Sequence, residues 1–190
     1  MPDALLRATL LWVVSLLPLT ALAKVEVQAV SHKNGPILAA RISEDIAPGD
    51  YNQLLQGLRQ HGGGHYVRRL VLLNSIGGSL DEALRMGRLL RASGFETLVP
   101  GQGVCQGTCI YLLAAGHKKT VRGAVGLHRP YFSRGDSALA RQQAGSPELD
   151  PAAYLQEMEI PLQLMDDMAQ LAPQNMRLLS ARELTRYRLN

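Results

Sequence analysis

A glycine pair, Gly77-Gly78, stands between an apolar run at 70–73 and the segment Ser79-Leu-Asp-Glu82. Ser79 and Glu82 have the spacing of a capping box, so the order reads strand, tight glycine turn, helix. Bare N–H groups in such a turn, at the positive end of a helix, can hold an oxygen on which negative charge develops. The plainer reading is that the glycines only permit φ > 0 in a sharp bend. A second glycine-rich turn, 100–107, opens an apolar segment at 108–115 that Gly116 closes. That segment has no polar face and is expected to be a buried helix, a natural floor for a site. His128 ends a short apolar strand at 124–127 and opens a loop at Arg129-Pro130. A strand-end histidine is a common place for a general base. A histidine hydrogen-bonded to backbone is the plainer alternative.

Cys105 and Cys109 are the chain's two cysteines. In an oxidising compartment they are candidates for a local disulfide, because one turn of chain brings Cα atoms within the ~7 Å that a bridge needs. Two ligands make a poor metal site. His61 and His65 flank three glycines with no third ligand nearby in sequence, so no metal site is expected there either. A glycine loop of that kind can serve a lipase, but no G-x-S-x-G elbow occurs anywhere.

The start of the chain bears on its compartment. Arg7 precedes an apolar stretch at 8–19, and Ala21-Leu-Ala23 fits a cleavage site. Residues 1–23 therefore read as a secretory signal, with an uncleaved anchor as the alternative. Residues 24–190 suffice for one domain with a sizeable core. No second apolar run is long enough to span a membrane. The net charge is +4, and the pI is about 9.3. The basic residues are scattered and no aromatics interleave with them, which argues against nucleic-acid binding.

The elements that must hold the candidate groups read as an α/β chain. The stretch 25–30 alternates apolar and polar like a half-buried strand, 32–36 is a turn, and 37–42 is a second strand. Asp50 is placed as an N-cap of a helix whose buried face carries Tyr51, Leu54, Leu55 and Leu58. The helix after the glycine pair puts Leu80, Ala83, Leu84, Gly87 and Leu90 on one face and ends at Gly94. A strand at 96–99 follows. Strand, helix and strand in this length predict a right-handed crossover and a parallel sheet. Short strands at 118–121 and 124–127 come next, then a polar loop at 133–147. Asp150-Pro151 starts a helix with Leu155, Met158, Leu162, Met165 and Met168 on its apolar side. Pro161 should kink or break it. That Met-rich side is expected to be core or an oligomer contact. Ser180 and Glu183 form another capping box before a short last helix.

Four motifs in register carry a resemblance. Leu73-Asn-Ser-Ile-Gly-Gly-Ser79, Cys109-Ile-Tyr-Leu-Leu-Ala-Ala-Gly116, Val125-Gly-Leu-His-Arg-Pro130 and Leu179-Ser-Ala-Arg-Glu183 resemble the ClpP-like branch of the ClpP/crotonase superfamily. The resemblance runs over about 37–189. With the signal and the cysteine pair, the chain looks like the exported bacterial members. It implies a ClpP/crotonase-like β-β-α spiral, a mostly parallel sheet with flanking helices, and the site of a serine peptidase. In that site Gly77, Gly78 and the amide of Thr108 match the oxyanion turn, and His128 matches the base. The nucleophile position, counted from Leu112-Leu-Ala-Ala-Gly116, is Gly107. The aspartate position, counted from Leu178-Leu-Ser-Ala181, is Met176. The exported relatives often read C-x-S-A-C where this chain reads Cys105-Gln-Gly-Thr-Cys109.

Glycine has no nucleophile, and methionine cannot orient an imidazole. A wrongly held tautomer alone costs a Ser-His-Asp enzyme about 10⁴ in turnover. The first expectation is therefore a non-catalytic ClpP-like scaffold of the cell envelope, periplasmic or otherwise exported, that binds a peptide or protein. The alternative is an active hydrolase with a displaced nucleophile, Thr108 or Cys109, working with His128. One helical step turns Thr108 by about 100° from the nucleophile position. Asp136, Asp166 and Asp167 are candidates to orient His128. An acyl-CoA enzyme of the crotonase branch is disfavoured, since that cofactor is not expected outside the cytoplasm. No metal, cofactor, nucleic acid or membrane span of the mature chain is expected. Assembly stays open: the resemblance implies rings and stacked oligomers, while the Met-rich side can equally pack on its own domain.

Overall fold

The computed structural model describes residues 25–128, 149–172 and 174–190. The expected signal at 1–23 and the loop at 133–147, with Asp136, lie outside the described residues. The described chain is an α/β fold with an eight-stranded mixed sheet and six helices.

β1 (Val25–Val30) pairs antiparallel with β2 (Ile37–Ile46). The turn between them closes with the Gly35 N–H on the His32 carbonyl at 3.0 Å. β2 outruns the expected 37–42 because its whole length lies parallel to β3 (Arg68–Gly78), beyond the point where β1 ends. β3 is longer than its apolar run for the same reason. It continues through Asn74, Ser75 and the glycine pair, with a register shift between Glu44 and Asp45. The glycine pair is thus the end of a strand beside a bulge, not a tight turn.

α1 (Asp50–His61) begins one residue earlier than expected. Gly49, at φ 100°, is its cap, and the Asp50 carboxylate accepts the Ala47 N–H at 2.8 Å instead of capping forward. Leu54 is fully buried, while Tyr51 and Leu58 are half-buried against the core. α2 (Leu80–Ala92) buries Ala83, Leu84, Met86, Gly87 and Leu90, and Gly94 follows it at φ 73°. The chain returns through β4 (Glu96–Val99), parallel to β3 as the crossover demands.

The sheet forks at β3. Its first half pairs with β4, and Ser75 pairs with β5 (Val104–Gln106). β6 (Lys119–Val121) extends the first branch, and β7 (Ala124–His128) extends the second. Gly123 makes the step from β6 to β7, where a Cβ would sit 2.1 Å from the Gly103 carbonyl oxygen. α3 (Cys109–Ala115) is buried at all seven residues.

α4 (Pro151–Glu157) starts as its sequence predicts, with the Asp150 side chain accepting the Ala152 N–H at 2.9 Å. Pro161 separates it from α5 (Gln163–Ala169). The break turns the apolar face: Leu155, Met158, Leu164 and Met168 are buried, while Leu162 is 36% exposed. The buried methionines are core of their own domain. A strand that the sequence did not signal, β8 (Met176–Leu178), then pairs antiparallel with β7 at the sheet edge. α6 (Ala181–Arg186) follows with both halves of its capping box formed. Among the described residues no helix is long and apolar enough to cross a membrane.

Candidate functional site

The C-terminal ends of β3, β5 and β7 lie side by side and bring the singled-out residues together. Gly77 and Gly78 end β3, at φ 93° and 148°. Neither tolerates a side chain. A Cβ on Gly78 would lie 2.2 Å from the Ile46 carbonyl oxygen, and one on Gly77 would lie 2.8 Å from the Gln106 oxygen. Gly107 and Thr108 link β5 to α3.

Gly107 adopts φ 53°, the left-handed region, and donates its N–H to the Gly126 carbonyl at 3.1 Å. Unlike its neighbours, it has room. A Cβ there would meet only the Ile76 oxygen at 3.6 Å and the His128 Cβ at 3.9 Å. A side chain at position 107 would therefore point at His128. His128 is half-buried at the end of β7 and stands in register opposite Met176 of β8. Met176 is 45% exposed, and its sulfur lies over Gly126. Among the described residues no hydroxyl, thiol or backbone group hydrogen-bonds to the His128 ring.

The two cysteines form a disulfide, with Cα atoms 5.3 Å apart and both residues fully buried. The bridge ties β5 to the first turn of α3 and closes the loop that carries Gly107 and Thr108. Cys109 thus has no free thiol in this form.

The amides at the glycine pair are not bare, contrary to expectation. The Gly77 N–H donates to Ser75 Oγ at 3.2 Å. The Gly78 N–H donates to Thr108 Oγ1 at 2.7 Å, and the same hydroxyl donates to the Gly78 carbonyl at 3.2 Å. The start of α2 is occupied as well. Ser79 Oγ accepts the Glu82 N–H at 3.4 Å. Glu82 does not complete the box; its carboxylate accepts the Tyr51 N–H of α1 at 2.7 Å. With Asp81 and Glu82 in its first turn, α2 presents carboxylates where an open anion site was expected.

Three groups that sequence reasoning left out shape the site. Buried Ser75 serves Gly77, Asn74 Oδ1 accepts the Val104 N–H at 3.0 Å, and Ile76 stands 62% exposed between them. Short polar residues at the end of an apolar run were the available signal. The candidate orienting acid Asp167 is engaged elsewhere: it accepts from Gln163, Arg186 and Tyr187. His61 and His65 lie at the end of α1 and in the loop after it, and the His61 carbonyl accepts from Tyr66 Oη at 3.1 Å. Among the described residues no three His, Cys, Asp or Glu side chains gather in a way that could hold a metal ion.

No protein-family model matches this chain, and no curated protein matches it. The functional reading therefore rests on the site itself.

Proposed function

We propose that this chain is an exported, ClpP-like protein of the cell envelope that binds an extended peptide or protein segment without cleaving it. One observation carries this reading. The positions that the resemblance assigns to nucleophile, base and acid, Gly107, His128 and Met176, are distant in sequence and converge in the fold. A carboxylate at 176 would stand opposite the histidine, and a side chain at 107 would reach toward it. This convergence supports reading the site as that of a triad lacking two of its three reacting groups, without which the usual route to an acyl-enzyme is closed.

The surroundings favour an apolar, extended ligand. Directly paired residues share a face of the sheet, and neighbours along a strand alternate. Ile76, His128, Met176 and Leu178 thereby share one face, with Ile76 at 62%, Met176 at 45% and Leu178 at 56% exposed. Among the described residues β8 is an edge strand with one neighbour, so a peptide can add to it through backbone hydrogen bonds, which need no catalytic serine. The disulfide fits an oxidising compartment.

The test is labelling by a fluorophosphonate, read as intact mass. The native protein is expected to stay unlabelled, whereas Gly107→Ser gains one adduct that Gly107→Ser/His128→Ala loses. Native labelling that depends on His128 would overturn the proposal and assign the chemistry to Thr108. Fluorescence polarisation with a pool of extended, alternately apolar peptides is expected to show saturable binding. Ile76→Asp should weaken it about tenfold.

A further inference from the structure

We infer that the Thr108 hydroxyl occupies the place of the ligand's oxygen, and that a carbonyl or carboxylate oxygen must displace it to bind. The inference rests on reading Gly77-Gly78 as an oxygen-binding turn. Its starting point is the pair of contacts between Thr108 Oγ1 and Gly78, at 2.7 Å from the N–H and 3.2 Å to the carbonyl. A hydroxyl that both accepts from and donates to one glycine takes up that glycine's N–H and one lone pair of its carbonyl.

The backbone cannot be the part that yields. Gly78 is pinned against β2, where a Cβ would already overlap the Ile46 oxygen, and the next amide, Ser79 N–H, donates to that same oxygen at 2.8 Å. The Gly107-Thr108 loop is held at both ends by the buried Cys105–Cys109 bridge. The Gly77 N–H is committed to Ser75 Oγ, which is fully buried. What remains free to change is one torsion, χ1 of Thr108, which has three staggered wells.

Rotation to the well that turns the Cβ hydrogen, and not the methyl, toward Gly78 takes Oγ1 off its N–H without moving the chain. The α3 amides offer the rotated hydroxyl no compensation, because Ile110 N–H and Tyr111 N–H already donate to Gly107 and Thr108 carbonyls. The closed rotamer is therefore the resting one, and ligand affinity is reduced by the fraction of time the site is open. An amide N–H donates to an oxygen acceptor, more strongly to a charged one, so the ligand class is an acyl or carboxylate oxygen, as an extended peptide carries.

The experiment compares fluorophosphonate labelling rates of Gly107→Ser, Gly107→Ser/Thr108→Ala and Gly107→Ser/Thr108→Ser. Removing the hydroxyl is expected to speed labelling about fivefold to tenfold, the factor set by one neutral hydrogen bond. The serine double variant keeps the hydroxyl and should label no faster than Gly107→Ser. Equal rates in all three variants overturn the inference while leaving the oxygen-binding turn intact. No labelling in any of them, even with Met176→Asp added to each, overturns the turn itself. A second readout needs no engineered nucleophile: the Gly78 amide of the native protein, followed by NMR. In Thr108→Val, which keeps the branched volume, the amide should move upfield and exchange faster than in native protein or in Thr108→Ser. An unchanged Gly78 signal would show that the hydroxyl is not its partner in solution, and would also overturn the inference.

Discussion

At single positions, the glycines around the site fall into two kinds. Gly78 leaves no room, and its φ of 148° is closed to other residues. Gly78→Ala is expected to cost about 3 kcal/mol or more through overlap with Ile46 and backbone strain, read as a fall in melting temperature. Gly107 is also at positive φ, but a side chain there would meet Ile76 and His128 only at ordinary contact distance. Gly107→Ser should therefore fold, at a cost of about 1–2 kcal/mol for the left-handed backbone. The contrast makes position 107 usable as a probe of the site, whereas 78 is fixed by packing. It also marks the limit of a sequence reading: both are glycines in glycine-rich stretches, and only their neighbours tell them apart.

Between elements, two contacts position the floor of the site. Gly87 lets α4 approach α2: a Cβ there would lie 1.9 Å from Tyr154 Oη, which donates to the Tyr111 carbonyl of α3 at 2.7 Å. Burial raises the Tyr154 hydroxyl well above its ordinary value and pushes Tyr111 up to about 12, so both stay neutral at any working pH. Gly87→Ala would gain about 1 kcal/mol of helix propensity. Tyr154 is fully buried and cannot swing aside. The clash is expected to win, with a net loss of about 1–3 kcal/mol in chemical denaturation. Glu82 joins the starts of α1 and α2 through the Tyr51 N–H. Glu82→Ala should cost about 2 kcal/mol, because it strips an amide of a charged acceptor.

For the whole molecule, the disulfide and the cluster beside β8 set the conditions of stability. Replacing both cysteines by alanine is expected to cost about 2 kcal/mol, the chain-entropy value for so short a loop. On the other side of the site, Glu183 is held down to about 2 by the Ser180 N–H, the Ser180 hydroxyl and then Arg177. Its folded pKa lies below its unfolded value. The stabilisation is thus complete above the ordinary carboxylate range of about 4.3 and is lost as pH falls toward 2. Asp167, lowered first by the Tyr187 hydroxyl, acts in the same direction. The melting temperature should fall between about pH 4.5 and 2, and Glu183→Gln should flatten part of that slope. Since Arg177 of β8 pairs with Glu183, acid should loosen the strand that stands opposite His128.

Much of the element order was legible because its signals are local. The Ser79 cap, Gly94, the all-apolar 109–115, Asp150-Pro151, the break at Pro161 and the Ser180-Glu183 box each act within about one helical turn of chain. The candidate positions Gly77, Gly78, Gly107 and His128 were legible for the same reason, as strand ends and glycine turns. What the tertiary structure alone decided are relations between distant residues. β3 runs on through its glycines because β2 lies beside it. β5 and β8, three residues each, carry no periodicity and exist only by pairing. Glu82 leaves its own cap for Tyr51, and Thr108 closes the Gly78 amide that sequence left bare. Composition and spacing thus determined most of the kinds of elements and which candidate residues fall at their ends, since these depend on neighbours along the chain. Which amides stay open, and which partner faces His128, depends on what folding brings across the sheet, where the chain's own order carries no information.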